Sequence, residues 1–175
     1  MRGLLAVFLL SAACAQPGAV PPPESETPAA LAETPAELAI LPVMLHSGDA
    51  ADLAAMREAL AGEAIDRGFT ALSRVYVDQA GIDPDVPALG EAGVIRVRLR
   101  NWTEATLPSP RMRGEFHMTL YRDGKALLDE QLELDLRPDA AEASADPERQ
   151  LATLRARAAS ALFALLPPPP AIDTL

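Results

Sequence analysis

The stretch VIRVRLRNW, residues 94–102, decides the fold. Its aliphatic and basic residues alternate strictly, in the order Ile95, Arg96, Val97, Arg98, Leu99, Arg100. This period of two places the aliphatic side chains on one face of a β-strand and the arginines on the other. A strand with one dry and one wet face is typical of an antiparallel sheet that is covered on one side only. The stretch therefore predicts a sheet whose uncovered face carries arginines.

A β-hairpin is predicted to continue this sheet after a loop at residues 103–110. The even-numbered positions are apolar on both arms, and Arg122-Asp123-Gly124 forms the turn between them. A two-residue loop would pair even positions with odd ones and place leucines opposite outward charges. We therefore expect a three-residue loop in which Gly124 is left-handed and Tyr121 pairs with Lys125.

This register makes specific predictions about the two arms. It sets three charged pairs on the wet face: Arg113 with Glu133, Arg111 with Asp135, and His117 with Asp129. Glu130 is the exception to the pattern, because it points inward opposite Phe116. It needs either a bulge that re-aims it or a buried partner.

A parallel β-helix-β unit is predicted before the one-sided strand. Residues 38–45 form a continuous apolar run of strand length, in which Pro42 indicates an edge position or a bulge. A helix then runs to about residue 67, capped by Asp49 or Ser47, and Gly68 is the left-handed residue that ends it. Its inner face is Leu53, Met56, Leu60 and Ala64. Residues 69–77 form the second strand, which a crossover of this length places parallel to the first.

The remaining elements complete the predicted domain. A helical turn is expected at residues 86–92, and Asp146, Pro147 and Glu148 start a last helix as cap, first residue and dipole-compensating acid. The buried stripe of that helix is Leu151, Leu154, Ala158, Leu162 and Leu165. The predicted fold class is α/β (α+β): a two-layer sandwich over residues 38–166. It has a mixed sheet of about five strands, a parallel β-α-β start, an antiparallel hairpin and a C-terminal helix.

The amino terminus predicts export and lipid attachment. Arg2, a short apolar core and Ser11-Ala12-Ala13 precede Cys14, the single cysteine of the chain, which is the layout of a secretory leader over residues 1–13. Leu10 to Cys14 resembles a bacterial lipobox, whose cysteine is lipidated and becomes the mature N-terminus. The alternative is ordinary signal cleavage, which releases a soluble protein beginning at Gln16.

Composition separates a tether and a tail from the domain. Residues 14–37 alternate proline with alanine and glutamate, which predicts an extended tether behind the lipidated cysteine, and residues 167–175 form a Pro-rich disordered tail. The formal charge of −10 becomes −11 when Arg2 is removed with the leader. A chain this acidic is expected to repel nucleic acid and anionic lipid surfaces.

The residues that could carry chemistry form no recognisable catalytic or metal-binding motif. His46 and His117 have no local acid, base or ligand partner in the sequence, and His117 reads as a sheet-surface residue beside Asp129. We therefore predict no catalytic residue, no metal and no cofactor.

The predicted binding surface is the arginine face, which we define as Arg96, Arg98, Arg100, Arg111 and Arg113. The alternative interpretation is a merely solvated face, because Arg111 and Arg113 have acids opposite them. The three arginines of residues 96–100 have only Glu115 nearby. We therefore expect those three to contact an anionic partner.

A family resemblance agrees with these elements. The lipidated cysteine, the Pro-rich tether, the strand at residues 38–43, Arg67-Gly68-Phe69, the hairpin at residues 121–125 and the final helix resemble those of the small periplasmic lipoproteins with a TolB amino-terminal-domain-like fold. These include the LpoB-like lipoproteins. The resemblance implies a non-enzymatic protein-binding module whose partner is another envelope protein. Ala15 rather than aspartate after Cys14 favours anchoring in the outer membrane, on its periplasmic face, by analogy with lipoprotein sorting. The alternative function is a periplasmic hydrolase or metal-binding protein with a scattered site.

Overall fold

The computed structural model describes residues 34–49, 51–80, 92–106 and 109–170. The predicted leader with Cys14, most of the tether, the end of the tail and nearly all of the expected helical turn at 86–92 lie outside these residues.

The described chain is a mixed α+β domain built on one sheet, which confirms the predicted fold class. The elements are β1 (Glu37–Ile40), β2 (Met44–Leu45), α1 (Leu53–Asp66), β3 (Thr70–Ala71), α2 (Arg74–Ala80), β4 (Gly93–Ala105), β5 (Arg111–Arg122), β6 (Lys125–Leu136) and α3 (Pro147–Phe163). The strand order is β3-β1-β4-β5-β6, and β2 also pairs with β4. β1 pairs parallel with both β3 and β4, and β2 pairs parallel with β4. The β4–β5 and β5–β6 pairs are antiparallel.

β1 and β2 are two parts of one path along the same neighbour. Ile40 lies opposite Ile95 and Met44 lies opposite Arg98, so four steps along the first path match three along β4. One extra residue is therefore accommodated between them, around Pro42. The predicted bulge at this proline is confirmed, and it explains why six strand segments occupy about five strand positions.

The second predicted strand, residues 69–77, is wrong beyond its first residues. Thr70–Ala71 pairs parallel with β1, as expected, but a helix begins at Arg74. Ser73 starts that helix, because its Oγ accepts the N–H of Tyr76 at 3.2 Å and its carbonyl accepts the N–H of Val77 at 3.0 Å. A serine that caps a helix in this way prevails over the β propensity of the valines that follow it.

The first helix ends as predicted but starts later. Its cap is Asp52, whose Oδ1 accepts the N–H of Ala55 at 3.0 Å, rather than Asp49 or Ser47. At the other end Gly68 has a φ of +87°, and the N–H of Phe69 reaches the carbonyl of Ala64 at 2.9 Å. This bond closes the helix in the manner of a Schellman motif.

A bulge at Asn101 changes which residues of β4 face the core. Asn101 has a φ of +50°, and the register with β5 shifts between Arg100 and Thr103. The shift turns Trp102 inward, where it is fully buried with its ring 4.7 Å from that of Phe116. The strand continues to Ala105, beyond the loop start expected at residue 103.

The hairpin keeps the predicted parity but not the predicted turn. Arg122 pairs with Lys125, so the loop has two residues, and both Asp123 (φ +51°) and Gly124 (φ +72°) are left-handed. The parity of the pairing is restored by a bulge just after the turn. A register shift between Leu120 and Tyr121 leaves Leu127 as the extra residue of β6. Turn and bulge together pair even positions with even positions.

The corrected register moves the cross-strand partners by two residues. Arg113 lies opposite Asp135, Glu115 opposite Glu133, His117 opposite Gln131, and Met118 opposite Glu130. The predicted pairings of Arg113 with Glu133 and of Glu130 with Phe116 are therefore wrong. Arg111 still bonds Asp135 and His117 still contacts Asp129, but as diagonal neighbours. Glu130 is exposed on the edge strand and needs no buried partner.

Two layers enclose the main core. α1 and α3 pack against each other and cover the dry face of the sheet, with Leu60, Leu154 and Phe116 fully buried between the layers. Asp146 caps α3 as expected, since its Oδ1 accepts the N–H of Arg149 at 2.9 Å. On the opposite face α2 covers only the β1 end, where a second cluster is formed by Ala39, Leu41, Val77 and Val94. Within the described residues, no other helix covers the rest of that face.

A buried ion pair joins the two layers at the end of β4. The Glu104 side chain is 4% exposed, and its carboxylate contacts both the guanidinium of Arg155 on α3 and the N–H of Asp52, the cap of α1. Removing one partner of such a pair leaves an uncompensated buried charge. The pair therefore holds α1 and α3 at a fixed position over the sheet.

Candidate interaction face of the sheet

The arginine face lies on the open side of the sheet, as predicted. Arg96, Arg98 and Arg100 are half-buried on β4, and Arg111 and Arg113 lie on the adjacent strand β5. Paired residues of neighbouring strands point to the same side, so the register places Met44, Arg98 and His117 in one row across three strands. The next row contains Arg100 and Glu115.

The two arginines on β5 are committed to the acids of β6. Arg111 donates from Nε and Nη2 to the two carboxylate oxygens of Asp135, at 2.8 and 2.5 Å. This bond is the main cause of the lowered pKa of Asp135 and of the raised pKa of Arg111. Arg113, opposite Asp135, adds a further attraction to that carboxylate. Arg111 is therefore paired at the sheet edge, whereas Arg113 is exposed and acts on Asp135 only through a weaker electrostatic attraction.

Arg98 lies beside a compact polar cluster formed by residues of β5 and β6. Asp129 accepts a hydrogen bond from Thr119 Oγ1 at 2.9 Å and lies 2.5 Å from His117 Nε2. The pKa of Asp129 is lowered, first by the Thr119 bond, then by the His117 bond, with a smaller electrostatic contribution from Arg98. His117 Nδ1 is enclosed and has no partner within the described residues. With one nitrogen engaged and the other enclosed, this imidazole is not placed to serve a substrate as a base.

The remaining two arginines have neighbours that sequence reasoning did not find. The Arg96 guanidinium lies 5.3 Å from the centre of the Tyr121 ring and also reaches its hydroxyl at 3.4 Å. Arg100 lies opposite Glu115, whose Oε1 accepts from Asn101 Nδ2 at 3.0 Å. Glu115 is therefore not the only neighbour of these arginines: Tyr121 lies beside Arg96, and the Asp129 cluster lies beside Arg98.

Met44 is the main feature of the face that the sequence did not reveal. It is 49% exposed although it belongs to an apolar run that predicts a fully covered strand. The bulge at Pro42 sets its register beside Arg98, and that register depends on strand pairing rather than on any local motif. His46 lies two residues further on, exposed, and its ring makes no polar contact within the described chain.

The described residues hold neither a candidate metal centre nor a candidate membrane-spanning helix. Across residues 34–49, 51–80, 92–106 and 109–170, no group of three or more histidine, cysteine, aspartate or glutamate side chains is arranged to hold a metal ion. None of the described helices has the length and apolar character that a membrane span requires.

Comparisons with known proteins place the fold. No protein-family model and no characterised protein sequence matches the chain. Among solved structures, a PelC dodecamer from Paraburkholderia phytofirmans has a TM-score of 0.50 at 7% identity, over 74% of this chain and 86% of that chain. At this identity the likeness concerns the fold alone.

Two further solved structures are described as bacterial lipoproteins. Lipoprotein GNA1162 from Neisseria meningitidis has a TM-score of 0.46 at 16% identity, over 75% of this chain and 98% of that chain. A minor lipoprotein from Acinetobacter baumannii has a TM-score of 0.43 at 13% identity, over 76% of this chain and 91% of that chain.

Proposed function

We propose that this chain is a lipid-anchored lipoprotein of the bacterial cell envelope that has no catalytic activity and docks another envelope protein. The lipobox-like residues before Cys14 support the anchor, and alanine rather than aspartate after the cysteine favours the outer membrane, by analogy with lipoprotein sorting. The Pro-rich tether of residues 14–37 then holds the domain on the periplasmic side, at most ~70 Å from the lipid. The resemblance to the LpoB-like lipoproteins supports a protein-binding role.

The observation that carries the proposal is the row of Met44 and Arg98 on the open face. Arginine, methionine and tyrosine are enriched at protein interfaces. Here an exposed Met44 adjoins Arg98, and Arg96 is held over Tyr121. In a chain with a formal charge of −10, this side of β4 concentrates positive charge. The partner surface that fits is acidic, with an apolar side chain for Met44.

The alternative function, a hydrolase or metal-binding protein, has less support from the described geometry. It requires His46, His117 or carboxylates to converge on a cleft. His117 is instead held by Asp129 with its other nitrogen enclosed. His46 makes no polar contact in the described residues. Activity of the purified protein on ester or peptide substrates, lost in His117→Gln, would favour the alternative.

The test of the docking face is a matched pair of triple variants. Arg96, Arg98 and Arg100 are changed to Gln in one variant, and Lys125, Arg149 and Arg157, outside the face, are changed to Gln in the other. The control residues are exposed, where a charge seldom contributes more than ~1 kcal/mol, whereas the face arginines are half-buried, so thermal unfolding first establishes that both variants are folded. Crosslinking and capture from membranes should show partner binding weakened about tenfold or more in the first variant, and affinity that falls as salt rises.

Two outcomes would contradict this proposal. Equal capture by the two variants would remove the arginine face as the docking site. Capture of nothing except further copies of this chain would replace a different envelope protein with self-assembly, a possibility raised by the dodecameric PelC structure of similar fold.

A further inference from the structure

One edge of the sheet, beside β1, is left open within the described residues. β3 pairs with β1 only at Glu37 and Leu38, so no strand covers the edge from Ile40 onward in the described chain. Arg57 of α1 reaches over this edge, and its Nε donates to the Ile40 carbonyl at 2.8 Å. Only 7% of Arg57 is exposed.

The guanidinium of Arg57 is only partly satisfied. Nη1 donates to one carboxylate oxygen of Asp78 at 2.7 Å, while Nη2 is enclosed and finds no acceptor within the described residues. A planar guanidinium matches both oxygens of a carboxylate, and the two parallel bonds are stronger than one. Asp78 forms only one of these two bonds. Its side chain is 47% exposed, so it can turn away from Arg57 into water.

Two cavities flank this buried cation, and we call them together the edge groove. One has a volume of about 350 Å³ and apolar walls from Ile40, Ala61, Leu72 and Val75. The other has a volume of about 580 Å³, with apolar walls from Pro42, Val43, Leu53 and Ala54. Arg57 lines both cavities. Arg74 also lines both cavities, but its guanidinium is paired with Glu58 at 2.7 Å, and Asp78 lines the second cavity. The volumes lie within the ~300–1,000 Å³ typical of small-ligand sites, and apolar walls with a few placed charged groups are typical of such sites.

We propose that the edge groove binds an amphipathic carboxylate, meaning a carboxylate carried on an aliphatic stem. The ligand's two oxygens replace Asp78 on Nη1 and Nη2 of Arg57, and the stem lies against the walls formed by Ile40, Leu72 and Val75. A free fatty acid and the C-terminal residue of a peptide both offer this chemistry. The proposal does not depend on the arginine face, which lies on β4 and β5.

Calorimetric and NMR titrations of the full-length protein test the ligand chemistry. The probes are octanoate with octanol as its neutral match, and an acetylated Val-Leu dipeptide with a free carboxylate alongside its C-terminal amide. At least one carboxylate should bind about tenfold or more tightly than its neutral match and shift the Arg57 side-chain signals. Octanoate binding alone identifies a fatty acid, and dipeptide binding alone identifies a peptide terminus. The proposal is overturned if neither carboxylate binds more tightly than its own neutral match.

Substitutions at the internal competitor test the site. Asp78→Asn removes the carboxylate that occupies Arg57, so the ligand should bind severalfold more tightly. Asp66→Asn, with the same charge change at the end of α1, should leave affinity unchanged. Arg57→Gln should abolish binding, and Asp78→Asn keeps the proposal testable if that variant does not fold. If Asp78→Asn weakens binding or leaves it unchanged, Asp78 is not a competitor and the proposal fails.

Discussion

Asp129 is the residue at which the electrostatics of the open face converge. Thr119 and His117 both bond its carboxylate, and Arg98 adds a positive charge nearby. Each interaction favours the ionised form, which is why its pKa is lowered although the side chain is 59% exposed. Asp129 thus fixes the position of the histidine that lies beside Arg98.

The lowered pKa predicts the pH dependence of an Asp129→Asn variant. A carboxyl whose pKa is lower in the folded protein adds stability above its unfolded pKa of ~3.9, and this stability is lost as pH falls through the folded value. The variant should therefore be less stable than wild type at pH 7. The difference should shrink as pH falls below about 4, because Asp129 is then protonated first in the unfolded chain and, at the lower folded pKa, in the native protein as well. Urea denaturation at pH 7 and pH 3 measures it, and an equal difference at both pH values contradicts the prediction.

Two other residues mark how far single positions could be predicted. Alternation correctly placed Arg96 to Arg100 on the open face, but it could not show that Asn101 takes a positive φ and turns Trp102 into the core. Glu130 interrupts the alternation because β6 is an edge strand, where its side chain reaches water. A charge at such a position hinders association with further strands. Both exceptions depend on neighbouring strands and not on local sequence.

At the scale of elements, the hairpin shows that one pattern can have two solutions. Pairing the even positions of β5 with the even positions of β6 required one extra residue between the two strands or within β6. The three-residue loop supplies that residue within the turn, whereas the structure supplies it at Leu127, after a two-residue turn. Asp-Gly favours the two-residue turn because both residues tolerate a positive φ. Parity was therefore predictable, but the exact cross-strand partners were not.

Gly124→Val tests the left-handed turn. Gly124 has a φ of +72°, which a β-branched residue resists, so the variant should be destabilised by ~1 kcal/mol or more. Gly62→Ala is the control, because Gly62 lies within α1 and an added Cβ would meet nothing within 4 Å. That change should stabilise the protein by ~0.5–1 kcal/mol. Denaturant unfolding of both variants measures the effects, and an unchanged midpoint for Gly124→Val would show that the turn does not need this conformation.

The α2 segment shows the limit of strand prediction. Val75 and Val77 alternate as in a strand, yet the helix buries Val77 against Ala39 while Val75 stays 63% exposed. Helix α2 thereby stops β3 after two residues and leaves the edge beside Ile40 open. The edge groove depends on this arrangement, so no sequence pattern pointed to Arg57. Its burial and partly used guanidinium became visible only when α1, β1 and α2 were placed together.

At the scale of the whole molecule, an acidic chain carries the arginine face on β4 and β5 and the buried Arg57 on α1. The arginine face was predictable because it follows from the period of β4. The neutralisation of Arg111 by Asp135 was also predicted, although through a different register. The exposed Met44 was not, because the bulge at Pro42 that sets its register acts only through pairing with β4. Local patterns thus predicted the surface, and tertiary pairing determined its contacts.

The proposed anchor would connect this surface to the envelope, and Cys14→Ala tests it. The lipobox-like residues before Cys14 predict lipid on its thiol, and an alanine there cannot be acylated. The variant should therefore leave the membrane fraction or accumulate with its leader uncleaved, whereas the wild type should fractionate with outer membranes. Arg2 to Ala13 should be absent from the wild-type protein, and mass spectrometry of its N-terminal peptide should show an acylated Cys14. Ser11→Leu, which brings the motif closer to the common lipobox, should retain the anchor and serves as the control. An unmodified N-terminus at Gln16 in the wild type would instead establish ordinary cleavage, and the docking face would then act in a soluble periplasmic protein.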